Sequence, residues 1–128
     1  MKMQKNAISW FEIPVVDFER ARAFYQNIFG YEMPEMDMEG VKMGILPHDR
    51  DGGGIGGAIC YGKGYKPASH DGPKVYLNGG DNLDEVLGKV EAAGGKVLVP
   101  KTLIAEDMGY FAFLNDTEGN VVGLFSVN

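Results

Sequence analysis

Apolar and polar positions along the chain fall into two successions of the same kind. Ile8-Ser9-Trp10-Phe11-Glu12-Ile13-Pro14-Val15-Val16 reads as a strand. Asp17 follows as a helix N-cap, its carboxylate placed to accept from free N–H groups of the first turn. Ala21, Phe24, Tyr25 and Ile28 then recur at i, i+3, i+4 and i+7, one apolar helix face, and Gly30 suits the left-handed residue that closes it. Short strands are predicted around Tyr31–Met36, Val41–Leu46 and Gly56–Tyr61. In the second succession Lys74–Asn78 is a strand, Asn82 with Glu85 resembles a capping box, and Leu83, Val86, Leu87 and Val90 repeat the helical face. Gly94-Gly95 stops that helix. Strands follow at Lys96–Ile104, Tyr110–Leu114 and Asn120–Val127, with a turn at Asn115–Gly119.

The two successions are in phase. Asp17 and Asp81 lie 81 − 17 = 64 residues apart, and Gly30 and Gly94 lie 94 − 30 = 64 apart, half of a 128-residue chain. An internal repeat constrains the whole architecture. The prediction is an α+β fold in one domain, residues 1–128, built from two strand–helix–strand–strand–strand modules at about 1–64 and 65–128, each with one helix covering one face of its sheet.

Composition narrows the function classes. Hydrophobic residues make up 45%, aromatic 11% and charged 23%, the balance of a soluble globular protein. The net charge of −6 argues against nucleic acid or an anionic membrane as partner. No stretch has membrane-spanning length, and the start has no apolar signal core, so cytoplasmic residence is expected. The single cysteine, Cys60, excludes an intramolecular disulfide framework and a multi-cysteine metal knuckle. Gly52-Gly53-Gly54-Ile55-Gly56-Gly57 satisfies a GxGxxG pattern but opens no helix, and reads as a loop.

Three motifs in this order and spacing resemble the vicinal oxygen chelate superfamily of glyoxalases, bleomycin-resistance proteins and extradiol dioxygenases. They are the run Phe11–Tyr25 before Phe29-Gly30, the run Val90–Val97, and Asp116-Thr117-Glu118-Gly119-Asn120. The resemblance covers nearly the whole chain. It implies paired βαβββ modules forming curled mixed sheets around a concave site, and a homodimer, the modules pairing within or between chains. Metal-dependent relatives carry His or Gln seven residues before the Asp that starts each helix, and Glu near the end of each module. The corresponding residues are Trp10, Lys74, Gly123 and, by the 64-residue offset, Ile59. Trp, Ile and Gly offer no suitable donor and protonated Lys repels a cation, so neither metal nor other cofactor is expected.

Strand alternation turns residues two apart to one face. The ligand-binding candidates are therefore Trp10 and Glu12, Ile59 and Tyr61, Lys74, Tyr76 and Asn78, and Gly123 and Phe125, aromatic walls with one acid and one base. Glu12 and Lys74 read structurally as an internal ion pair or as residues near solvent, and functionally with Lys74 as an anion anchor or Glu12 as a general base. No nucleophile is identified, and Cys60 is read as a strand residue. Three functions remain open: a metal-free protein that binds or sequesters an aromatic or cationic small organic molecule; a lyase, isomerase or dioxygenase-like enzyme with a divergent active site; and a regulatory or interaction module.

Overall fold

The computed structural model of the protein describes residues 1–128. Its elements run in the order Phe11–Pro14 (β1), Phe18–Phe29 (α1), Glu35–Met38 (β2), Val41–Leu46 (β3), Gly57–Tyr61 (β4), Tyr76–Asn78 (β5), Leu83–Val90 (α2), Lys96–Leu103 (β6), Tyr110–Asn115 (β7) and Val121–Ser126 (β8). This is βαβββ twice over. The predicted order holds, while the second strand begins later than Tyr31: Met33 N–H donates to Gln26 Oε1 at 2.9 Å, which keeps this stretch on α1 rather than in a ladder.

Both helices are capped as their sequences dictate. Asp17 Oδ1 accepts from Arg20 N–H at 3.1 Å, and Gly30 sits at φ 71° with its N–H on Gln26 O. Asn82 Oδ1 accepts from Asp84 N–H at 2.9 Å. Glu85 does not return the capping box through its side chain; its backbone N–H donates to Asn82 O instead.

The strands form two open four-stranded sheets, ordered β1-β4-β3-β2 and β5-β8-β7-β6. In each, the first strand runs parallel to the last and the other pairs are antiparallel. One face of each sheet lies under its helix, and both contribute to a continuous core including Ile13, Ile59, Leu77, Leu114 and Leu124 with Phe24, Tyr25 and Val90. The other faces carry no helix. On the first sheet this face holds Met43, Ala58 and Cys60, a small separate cluster. No helix is long and apolar enough to cross a membrane.

The repeat drifts by one residue. Ile13 and Leu77 correspond at 77 − 13 = 64, but their ladder partners are Ile59 and Leu124, at 124 − 59 = 65. The helix N-caps are also 82 − 17 = 65 apart, which puts the extra residue in the Gly79-Gly80 turn. The counterpart of Gly123 is therefore Ala58, not Ile59.

The two units are fastened by the Asp116–Asn120 turn. Glu118 Oε1 accepts from Val16 and Asp17 N–H at 2.9 and 2.7 Å, and Oε2 accepts from Arg20 Nε at 2.8 Å, so a side chain of the second unit covers the N-terminus of α1. Asn120 Nδ2 donates to Pro14 O at 2.8 Å, satisfying an edge carbonyl of β1. Burial pushes the Glu118 carboxyl upward, but the Arg20 hydrogen bond and the N–H groups of Asp17 and Val16 outweigh it and hold it below its ordinary 4.5. A depressed carboxylate contributes stability that is full above its unfolded value and is lost as pH falls through the folded value. Glu118→Gln should cost about 1–2 kcal/mol at neutral pH. The gap from wild type should close as pH falls below 4.5, which urea melts across the acid range measure.

Candidate functional site

The helix-free faces meet the seam between β1 and β5, and two cavities open along it. One, of about 370 Å³, lies between Ile8, Phe11 and Pro47 on one side and Lys74, Tyr76 and Asn78 on the other. The second, of about 130 Å³, lies between Glu12 and Pro14 of β1, Val121 of β8, and the segment that joins the two units.

On the first sheet the side chains gather around Glu12. Tyr65 Oη donates to Glu12 Oε1 at 2.7 Å, and Trp10 Nε1 approaches Oε2 at 3.4 Å. Trp10 is 40% exposed and meets the His48 ring edge-on at 6.4 Å between centroids. Tyr65 packs against Cys60, whose side chain has no exposure. Burial, reinforced by the nearby Glu12 carboxylate, pushes the Cys60 thiol up to about 12, which leaves it protonated and unreactive at neutral pH. The hydrogen bond to Glu12 pushes the Tyr65 hydroxyl up to about 12 as well.

On the second sheet the site is aromatic. Tyr76 pairs with Gly123 across β5 and β8, and a Cβ built on Gly123 would lie 2.5 Å from the Tyr76 ring. Glycine here lets the ring lie flat on the strand. Tyr76 is also 5.4 Å from Phe113, which meets Phe111 edge-to-face at 5.7 Å, and Phe111 pairs with Phe125.

The structure thus joins Trp10 with Glu12, and Tyr76 with Gly123 and, through Phe113 and Phe111, with Phe125. Asn78 lines the larger cavity. Two expected placements are corrected. Ile59 is buried in the helix-side core because the repeat drifts by one residue, and a one-residue slip reverses the face. Tyr61, two residues on, shares that side and pairs with Lys42, whose ammonium lies over the Phe18 ring of α1. The pairing of Glu12 with Lys74 is not made: Lys74 Nζ donates to His70 O at 2.9 Å and Gly72 O at 3.5 Å. Tyr65, Phe111 and Phe113 are the residues that sequence reasoning missed.

The site does not suit the superfamily's metal. The side chains at the four corresponding places are those of Trp10, Ala58, Lys74 and Gly123, with the Tyr76 ring filling the space a longer residue at 123 would take. No three His, Cys, Asp or Glu side chains converge on a common point. What the arrangement offers is an exposed aromatic platform and a carboxylate without an ion-pair partner.

Relatives carry the same architecture. A family model described as bleomycin resistance protein-like N-terminal matches residues 8–43. A glyoxylase-like domain-containing protein of Didymella fabae is 30% identical over 117 residues, covering 88% of each chain. The chain belongs to the vicinal oxygen chelate superfamily. Within that superfamily it is also 27% identical over 130 residues to CFP32 of Mycobacterium bovis, a glyoxylase-named protein; the match covers 94% of this chain and 45% of CFP32, so the chain spans about half that relative's length. Among solved structures, TnmS3, an antibiotic binding protein from Streptomyces sp. CB03234, superposes with a TM-score of 0.68 at 22% identity, over 99% of this chain and 100% of that one.

Proposed function

We propose that the protein is a metal-free small-molecule-binding protein of the glyoxalase/bleomycin-resistance type, taking a ligand with an aromatic body and a cationic group. The observation that carries this reading is the Tyr76 ring, 53% exposed, laid over Gly123 and backed by Phe113 on a face without a helix. Aromatic surface of this kind gains from stacking with an aromatic ligand, and the Glu12 carboxylate at the seam gains from a cation. The antibiotic-binding character of TnmS3 is consistent with it. The enzymatic alternative, with Glu12 as base and Lys74 stabilising charge, has no such support, because the Lys74 ammonium is turned to the carbonyls of His70 and Gly72.

The one tryptophan, Trp10, stands beside Glu12 and is a built-in reporter. Titration with aromatic ammonium compounds and their neutral analogues should quench or shift its fluorescence saturably, with the cations binding more tightly. Flat titrations across a chemically broad panel reject the reading. Near-stoichiometric metal after purification without added metal rejects its metal-free part.

We further propose that two copies pair through the β2 edge of the first sheet, on its helix-free face. Met36 and Met38 stand on this side of the edge strand β2, in register with Met43 and Val41, and are 47% and 53% exposed. Apolar surface of this kind is what an interface between copies covers. Solution scattering should give a dimer, and Met36→Lys with Met38→Lys should give a monomer that keeps its far-ultraviolet circular dichroism.

A further inference from the structure

The segment that joins the two units, residues 62–74, lies across the seam with few ties. Its one regular piece is a 3-10 turn at Ser69–Asp71. Its irregular-backbone hydrogen bonds, Tyr65 N–H to Gly62 O and Asp71 N–H to Ala68 O, are internal and reach neither sheet. Lys74 Nζ donates to His70 O within the segment itself, so the one side-chain hydrogen bond that ties it to a sheet is that of Tyr65 Oη to Glu12 Oε1 at 2.7 Å. Between Tyr65 and Lys74, Ala68, Ser69, Gly72 and Pro73 close the 130 Å³ cavity, and Glu12 is the one ionisable side chain in its wall.

We propose that residues 62–74 are a strap latched by the Tyr65–Glu12 hydrogen bond, and that a ligand bearing a primary ammonium opens it by taking the Glu12 carboxylate from Tyr65. The chemistry favours that exchange. Glu12 forms no ion pair in the chain, and its second oxygen has only the long contact from Trp10. An ammonium–carboxylate hydrogen bond has both partners charged, whereas the phenol brings no charge, so a cation displaces Tyr65 where a neutral ligand of the same shape does not. The strap would then lift as the ligand enters, and ligands would be sorted by charge at the seam while the aromatic face sorts them by shape. The ligand half of this proposal rests on the binding function proposed above; the latch half does not.

Cys60 makes both halves measurable. It is the only cysteine, has no exposure, and lies beneath Tyr65, so its alkylation by iodoacetamide reports lifting of the strap. Tyr65→Phe keeps the ring over Cys60 and removes only the latch. It should speed alkylation about fivefold without any ligand, a latch exposed to water being weaker than a buried one. Benzylammonium should speed alkylation of the wild type by a similar factor, benzyl alcohol should not, and Glu12→Gln should abolish the response to benzylammonium. Circular dichroism establishes that each variant is folded. Tyr65→Phe reacting at the wild-type rate overturns the latch. Benzylammonium that changes Trp10 fluorescence but not the alkylation rate overturns the opening by ligand and leaves the binding function standing. Faster alkylation of Tyr65→Phe with no response to benzylammonium by either readout overturns the ligand half and counts against the binding function, with the latch upheld.

Discussion

Asp116→Ala should destabilise the protein by about 3–5 kcal/mol, the range seen when buried donors lose a charged acceptor. The carboxylate is 4% exposed and accepts four hydrogen bonds. Oδ2 takes Tyr25 Oη at 2.7 Å and Asn120 Nδ2 at 2.8 Å, and Oδ1 takes the N–H groups of Glu118 and Asn120, both at 2.9 Å. Burial pushes the Asp116 carboxyl up, and the donors around it pull part of that back. Burial also pushes the Tyr25 hydroxyl well up, with the Asp116 charge adding to it, which favours the protonated phenol that donates to Asp116. Alanine leaves Tyr25 without an acceptor in the middle of the core and frees the Asn120 amide that holds Pro14 O. Asp116→Asn keeps the shape and two of the acceptor directions, and should cost about half as much. Urea denaturation of the three proteins measures both differences. A loss below about 1 kcal/mol for alanine would mean that the turn is dispensable to the join between the units.

That join shows what was legible in the sequence and what was not. Helices announce themselves locally: Asp17, the spacing from Ala21 to Ile28 and Gly30 suffice to place α1, and the structure uses each residue as its chemistry suggests. Asp116–Asn120 was legible as a turn, but its partners, Val16, Asp17, Arg20 and Tyr25, are some ninety to a hundred residues away and leave no trace in local pattern. The site suffered from the same limit in two ways. A single extra residue at Gly79-Gly80 shifts the repeat, and because side chains alternate across a sheet, that shift carried Ile59 from the expected open face into the core. In β7 the run Phe111-Ala112-Phe113-Leu114 is apolar at every position, so alternation of apolar and polar residues gave no sign that Phe111 and Phe113 are the ones on the helix-free face. Tyr65 lies in irregular chain between glycine and lysine residues, where no period exists to read.

Tyr76→Ala should weaken binding of an aromatic ammonium ligand about thirtyfold, roughly 2 kcal/mol, the loss expected when a stacking anchor is truncated. The same change should cost folding little, because the ring is 53% exposed and lies on the surface of its sheet. Tyr76→Phe should bind within about twofold of wild type, since the hydroxyl has no partner in the protein and the ring supplies the contact. Gly123→Ala probes the geometry from below. Its Cβ would come within 2.5 Å of the Tyr76 ring, so the ring must tilt away and present its edge or swing into solvent. Affinity should fall about tenfold although no group that touches the ligand has been removed. Trp10 fluorescence and calorimetry would give the affinities, and thermal melts would show the fold intact. Tyr76→Ala binding as tightly as wild type would move the ligand off the platform and off the wall of the 370 Å³ cavity that Tyr76 also lines. Loss in Tyr76→Ala with no loss in Gly123→Ala would mean that the ring binds by its bulk rather than by lying flat. The glycine at a place where metal-dependent relatives keep a ligand would then be a packing residue only.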